Sequence, residues 1–229
     1  MIISHKHKFI FIKVRKTASS STEIALSKIC GDQDVVSPGS AKEEEQRAQI
    51  GAKTAQHYKF PLSKHGVGEI LSMPFGFARR TWYNHMPAVE IKEHIEKDIW
   101  DSYYKFCFER NPFDKVLSQF NARGGAERYG NVMGYIKSGD VARLKGFDMY
   151  TIDRNIVVND IFKFEEIDKA MATISEKLNL TTPLEMPKFK AKGDRRKDRR
   201  HYSEVLSKEE IEAIEVIFAR EIKLLGYSF

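Results

Sequence analysis

The sequence predicts an α/β fold with a parallel sheet and crossover helices. Three observations carry this. An apolar run over residues 8–14 ends in a hydroxyl-rich turn and leads into a helix-like segment. A second apolar run, YYKFCFE over 103–109, stops at Arg110-Asn111-Pro112, and proline is well suited to the first turn of a helix. A third strand segment, 156–164, precedes a helix-patterned stretch over 165–178. Repeated strand-then-helix order favours parallel strands joined by helices. Ligands of such sheets gather at the carboxyl ends of the strands.

Taken in order, the β-rich run at 8–14 reads as a buried strand. Ile24, Ala25, Ile29 and Cys30 share one face of the helix that follows. Residues 31–64 are polar, with Gly31, Pro38, Gly39, Gly51, Pro61 and three consecutive glutamates at 43–45. They read as a long, mobile excursion with one short helix. A short helix is expected over 65–72, and another over 86–97 with Pro87 in its first turn. The helix opened by Pro112 runs to about Arg123. Residues 124–150 are glycine-rich and break into short amphipathic pieces. Ile167, Met171, Ile174 and Leu178 form the inward face of the 165–178 helix. The last helix is capped by Ser207, closed into a capping box by Glu210 and stopped by Gly226. Its inward stripe is Ile211, Ile214, Phe218, Ile222 and Leu225.

A length of 229 residues fits one domain that needs no staples. Residues 31–64 and 124–150 are then variable excursions, and 186–203 is a basic loop. Cys30 and Cys107 form no metal or redox pattern and read as reduced, buried thiols. MIISHKHKF lacks an apolar signal core, and no run of 18 apolar residues occurs, so no membrane span is expected. The chain reads as cytoplasmic, or as trimmed of an anchor. The net charge of +6 is partly local: residues 192–200, KGDRRKDRR, carry six bases against two acids. Such a run suits nucleic acid or a polyanionic small ligand.

Two constellations bear chemistry. In Lys16-Thr17-Ala18-Ser19-Ser20-Ser21-Thr22, a lysine and five hydroxyls surround the start of a helix. Free backbone N–H groups and the positive helix end make such a point an anion site. The loop is not GxxxxGK[ST], because its lysine precedes the helix and alanine and serines stand where glycines would. In the second, FCFERNPFDKVLSQF over 106–120, Arg110 sits at a strand end and offers a bidentate fork to a phosphate. Ser118 lies two helical turns on. One phosphate meets both only if the arginine folds back along the helix.

KTASSST resembles the 5′-phosphosulfate loop of sulfotransferases that use 3′-phosphoadenosine 5′-phosphosulfate (PAPS), with Arg15 where proline is common in that family. The 106–120 segment resembles that family's 3′-phosphate element. NDIFKFEEID, the basic loop and the closing helix with its Gly-Tyr are looser matches. Together these segments span about half of the chain. The resemblance implies a three-layer, P-loop NTPase-like architecture, with a central, mostly parallel sheet flanked by helices. It implies PAPS as donor, adenosine 3′,5′-bisphosphate as product and no metal. Arg15, Lys16, Thr17, Ala18, Ser19, Ser20, Ser21, Thr22, Arg110 and Ser118 would contact the nucleotide. Arg196 and Lys197 would do so from the basic loop, which would close over it. His85, in NHMPAVEI, resembles the histidine that opens an H-x-x-A helix in the family's carbohydrate-type branch and acts there as general base; His65 is the other candidate. That branch implies a saccharide hydroxyl as acceptor, with Phe75, Phe77, Trp82 and Tyr83 as rings able to stack on it. Each residue has a plainer reading: a polar N-cap turn, an arginine paired to a carboxylate, a solvated basic loop, core aromatics. The rival functions are a nucleotide or small-molecule kinase and a nucleic-acid-binding module. The first lacks a Gly-rich loop and acidic magnesium ligands. The second lacks aromatic interleaving and a known motif, so no nucleic-acid partner is expected.

Overall fold

The computed structural model describes residues 1–61, 67–72, 80–188 and 200–229. In chain order it contains β1 (Ile2–Ser4), β2 (Phe9–Ile12), α1 (Ser19–Ser27), β3 (Val35–Val36), α2 (Ala41–Gln49) and α3 (Val67–Ser72). Then come α4 (Ala88–His94), α5 (Lys97–Ser102), β4 (Tyr104–Glu109), α6 (Pro112–Ala122), α7 (Gly125–Tyr129) and α8 (Val132–Lys137). The hairpin β5 (Thr151–Ile152) and β6 (Asn155–Ile156) precedes β7 (Asp160–Lys163), α9 (Ile167–Lys177), α10 (Lys208–Ile217) and α11 (Ala219–Leu225).

The protein is a mixed α/β fold around a five-stranded sheet in the order β3-β1-β2-β4-β7. β2, β4 and β7 are parallel, with Ile12 opposite Cys107 and Cys107 opposite Ile161. β1 runs antiparallel to both its neighbours. Alternation along the strands sends side chains to two faces. Phe9, Phe11, Phe106 and Phe108 pack with Ala25 and Leu26 of α1 and with Ala170, Met171 and Ile174 of α9. Ile10, Ile12 and Cys107 pack on the other face with Ala88 and Ile91 of α4 and Trp100 of α5. Helices therefore cover both faces. A third cluster joins α6, α8 and α10 through Phe113, Val116, Tyr135, Ile214 and Phe218. Cys30 and Cys107 are buried and unpaired.

Several boundaries differ from the sequence expectation. β1 and β3 hold three and two residues, too short for a periodic signal. The third strand is only Asp160–Lys163, because Ile156 belongs to the β5–β6 hairpin. Asp153 and Arg154, both with positive φ, turn that hairpin. The excursion over 31–64 contributes α2, whose capping box joins Ser40 and Glu43 and whose Arg47 is fully buried. The expected 86–97 helix is shorter, Ala88–His94, and ends where Ile95 turns extended; a separate helix, α5, starts at Lys97. The last helix bends at Phe218, a fully buried ring, although hydrogen bonds continue from Phe218 N–H to Ile214 O and from Ile222 N–H to Phe218 O. Its predicted capping box and left-handed Gly226 are present.

Candidate active site

The carboxyl ends of β2, β4 and β7 lie side by side, so the residues just beyond them meet. From β2 the chain passes through Val14 and Arg15 into Lys16 and Ala18, both with left-handed backbone (φ 63 and 52). Non-glycine residues adopt that region only at a cost. Here it curls the loop under the start of α1. Ala18 caps that helix and has no side-chain oxygen for the first-turn N–H groups. Those donors are the anion-binding capacity of the loop.

The hydroxyls divide in a way the sequence left open. Thr17 donates to Val14 O (3.2 Å) and Thr22 to Ala18 O (3.4 Å), so both tie the loop to itself. Ser20 donates to the buried Glu43 carboxylate. Burial opposes ionisation of Glu43, but Lys13 and the bonds from Ser20 and Ser40 prevail and hold its carboxyl well below the usual range. Thr17, Thr22 and Ser20 therefore build the loop with their side chains. Ser19 is buried at its first turn, with Ser21 half-buried beside it.

Arg110, just past β4, closes the other corner. Its Nη1 donates to Lys16 O at 3.3 Å. Its Nε (2.9 Å) and Nη2 both donate to Asp114 Oδ2, and its guanidinium lies 4.5 Å from the Phe164 ring at the end of β7. Arg110 thus folds back along α6 and touches all three strand ends. It reaches Asp114, one turn short of Ser118, which shares that helical ridge by its spacing of four. Asn111 donates from its backbone to Glu165 Oε1 (2.7 Å) and from its amide to Tyr202 Oη and Ser228 O (3.1 Å each). Tyr227 donates to Glu165 Oε2 at 3.1 Å. The closing Gly-Tyr segment therefore returns to this corner.

His85 stands beside the β2 exit, also with left-handed backbone (φ 62). Its Nδ1 is 2.8 Å from Lys13 O. A carbonyl only accepts, so Nδ1 carries the proton and Nε2 keeps its lone pair. Burial, then the charges of Lys13 and Arg15, pull the imidazole down from its ordinary value to about 3.

Lys13, Asn84, Glu23 and Glu43 behind His85 escaped the sequence reading. Lys13 Nζ pairs with Glu23 and donates to Asn84 Oδ1 (3.0 Å), and Glu43 Oε1 lies 3.6 Å away. Asn84 in turn donates to Pro38 O at 2.6 Å. Glu23 also receives the Met1 amine and Arg47 Nη2 (2.9 Å). The available signal was a lysine inside an otherwise apolar strand, FIFIKV, and a glutamate inside an apolar helix face. Trp82 is buried against Phe60, with ring centroids 4.7 Å apart, so it is core rather than a stacking surface. Tyr83 is partly exposed and donates to Glu90 at 2.7 Å. His65, Phe75, Phe77, Arg196 and Lys197 lie outside the described residues.

Fold and site together define a mixed α/β protein with a hydroxyl-rich loop at a helix start, an arginine corner and a neutral histidine at the carboxyl ends of its parallel strands. The profile of the sulfotransferase family matches residues 1–145, more than half of the chain, and the protein belongs to that family. The matched stretch contains the loop, His85 and Arg110. The chain is 30% identical over 106 residues to an uncharacterized protein of Archaeoglobus fulgidus, covering 44% of this chain and 88% of that protein. No solved structure matches the chain. Among the described residues no helix is long and apolar enough to cross a membrane.

Proposed function

We propose that the protein transfers the sulfuryl group of PAPS to an acceptor hydroxyl, on a saccharide. The hydrogen bond from Arg110 to Lys16 O carries this reading, because it makes the two phosphate-type corners one site. The residues fit such a donor on local grounds. Ala18 offers no side-chain oxygen to the start of α1, where the helix dipole favours an anion, and Lys16 supplies a cation beside it. When bound, PAPS supplies an activated sulfuryl group and a bisphosphate leaving group.

Lys16 and the α1 N-terminus hold the 5′ end and neutralise charge that develops on the leaving oxygen. Arg110 and Ser118 hold the 3′-phosphate, with Arg110 exchanging Asp114 for it. His85 Nε2 receives the acceptor proton. The donor's negative charge offsets Lys13 and Arg15, which raises the affinity of His85 for that proton.

Calorimetric titration tests the donor. Adenosine 3′,5′-bisphosphate is expected to bind more tightly than ATP–Mg²⁺; tighter binding of ATP–Mg²⁺ favours a kinase. Lys16→Ala is expected to lower turnover about 100-fold or more, the usual effect of losing one preorganised charge contact. Full turnover in that variant removes Lys16 from the chemistry.

A further inference from the structure

Two features of His85 need support from outside its own side chain. Its backbone is left-handed (φ 62), a region that a residue with a Cβ atom occupies only at a cost and only where its surroundings hold it there. Its imidazole can take a proton at Nε2 only while Nδ1 keeps its own. The Lys13 carbonyl, 2.8 Å from Nδ1, secures that tautomer as long as ring and carbonyl keep their relative places. The flanks of the segment are apolar anchors. Trp82 and Met86 are buried in the core, and the Trp82 N–H donates to Tyr58 O at 2.7 Å.

The residue just before His85 supplies the polar anchor. Asn84 Oδ1 receives Lys13 Nζ at 3.0 Å and lies 3.3 Å from Ser37 Oγ. Asn84 Nδ2 donates to Pro38 O at 2.6 Å. An ammonium only donates and a carbonyl only accepts, so these partners fix which way the amide points. One side chain therefore ties residue 84 both to the β2 exit and to the chain that leaves β3. Lys13 is itself immobilised, since its Nζ is buried, pairs with Glu23 and lies 3.6 Å from Glu43 Oε1. Lys13 thus grips two consecutive residues, Asn84 with its ammonium and His85 with its carbonyl. A reacting group is placed only as well as the neighbours that lock it. We infer that Asn84 is a positioning residue for the sulfuryl transfer: clamped between Lys13 and Pro38, it holds the left-handed backbone at His85, keeps the ring on the Lys13 carbonyl and so leaves Nε2 ready for the acceptor proton. This inference rests on the sulfotransferase reading above.

The test reads the His85 ring directly, by nitrogen NMR on the full chain carrying isotope-labelled histidine, at a pH well above about 6.5, where free imidazole is neutral. His85→Asn identifies its signals among the seven histidines. In the wild-type chain His85 is expected as a single tautomer with its proton on Nδ1; the Nε2–H tautomer, or a mixture, overturns the inference. In Asn84→Ala the ring is expected to become a mixture of tautomers while the affinity for adenosine 3′,5′-bisphosphate stays unchanged. In the turnover assay applied to Lys16→Ala, the same variant is expected to lose about tenfold or more in kcat with the KM for PAPS unchanged. Asn84→Asp, which keeps an oxygen on Lys13 but loses the donor to Pro38 O, is expected to fall between the two, and it decides the matter where the alanine variant does not fold. A lowered Tm with the wild-type tautomer makes Asn84 a structural residue and overturns the inference, leaving the donor reading intact. Full kcat in a variant that has lost the tautomer overturns it as well. Loss of bisphosphate affinity assigns Asn84 to the donor loop and also overturns it. Failure of the wild-type chain to bind the bisphosphate removes the donor reading itself, and the inference with it.

Discussion

At the scale of single residues, the site depends on side chains bound to backbone carbonyls. His85 is fixed by Lys13 O and Arg110 by Lys16 O, so each reports on the path of the β2 exit. His85 is held neutral in the fold, with its value lowered to about 3. Its unfolded value is near ~6.5. Between those values the unfolded chain binds the extra proton, so His85 makes stability fall as pH drops below about 6.5. One proton corresponds to a slope of at most about 1.4 kcal/mol per pH unit. Urea unfolding across pH 6.5 to 5 is expected to show this slope, and His85→Asn is expected to flatten it. A slope that persists in the variant assigns it to other groups. For Arg110, lysine keeps the charge but not the fork. Arg110→Lys is therefore expected to weaken adenosine 3′,5′-bisphosphate binding by about tenfold or more, read by calorimetry.

At the scale of elements, short polar signals proved reliable and long stretches less so. Ser207 with Glu210, and Gly226, mark the ends of the last helical segment as their chemistry requires. The two strand-to-helix corners, β2 into α1 and β4 into α6, were legible because each follows an apolar strand. The excursion over 31–64 holds the one short helix expected of it, α2, but its buried part escaped notice because it is charged: Glu43 and Arg47 sit inside an ionic cluster that hydropathy scores as surface. β1 and β3 were missed for their brevity. The hydroxyl-rich loop was read correctly in place but not in detail, because which hydroxyl turns to the backbone depends on the left-handed residues at 16 and 18. Because the capping box opens α2 and supplies Glu43 to this cluster, Ser40→Ala is expected to cost about 1 kcal/mol in chemical denaturation. An unchanged midpoint will mean that α2 is held by Arg47 alone.

At the scale of the whole molecule, charge is buried on both sides of the central strand pair. Glu23 is lowered to about 2: burial opposes its ionisation, but the Met1 amine, Lys13 and Arg47 prevail. A carboxylate of this kind adds stability above its unfolded value near ~4.3 and loses it as pH falls toward 2. Together with His85, it predicts acid unfolding in two stages, the first below about pH 6.5 and the second below about 4.3. Circular dichroism against pH will show whether Glu23→Gln removes the second. On the other side, Glu109 pairs with Lys115 at 2.7 Å, both fully buried under the Arg110 corner. Gly146 packs so closely there that a Cβ atom would sit 1.5 Å from Glu109 Oε1. Gly146→Ala is expected to lower stability by roughly 1–3 kcal/mol through forced displacement of that ion pair, seen as a fall in Tm. The bond between the imidazole and the Lys13 carbonyl has one more consequence. His85, the proton acceptor of the proposed reaction, is mounted on the same peptide track that carries Lys16, three residues downstream. Covalent geometry thus acts as a yardstick between the two, so under the proposed reaction changes that alter which hydroxyl is sulfated belong in the surrounding walls, not in this span.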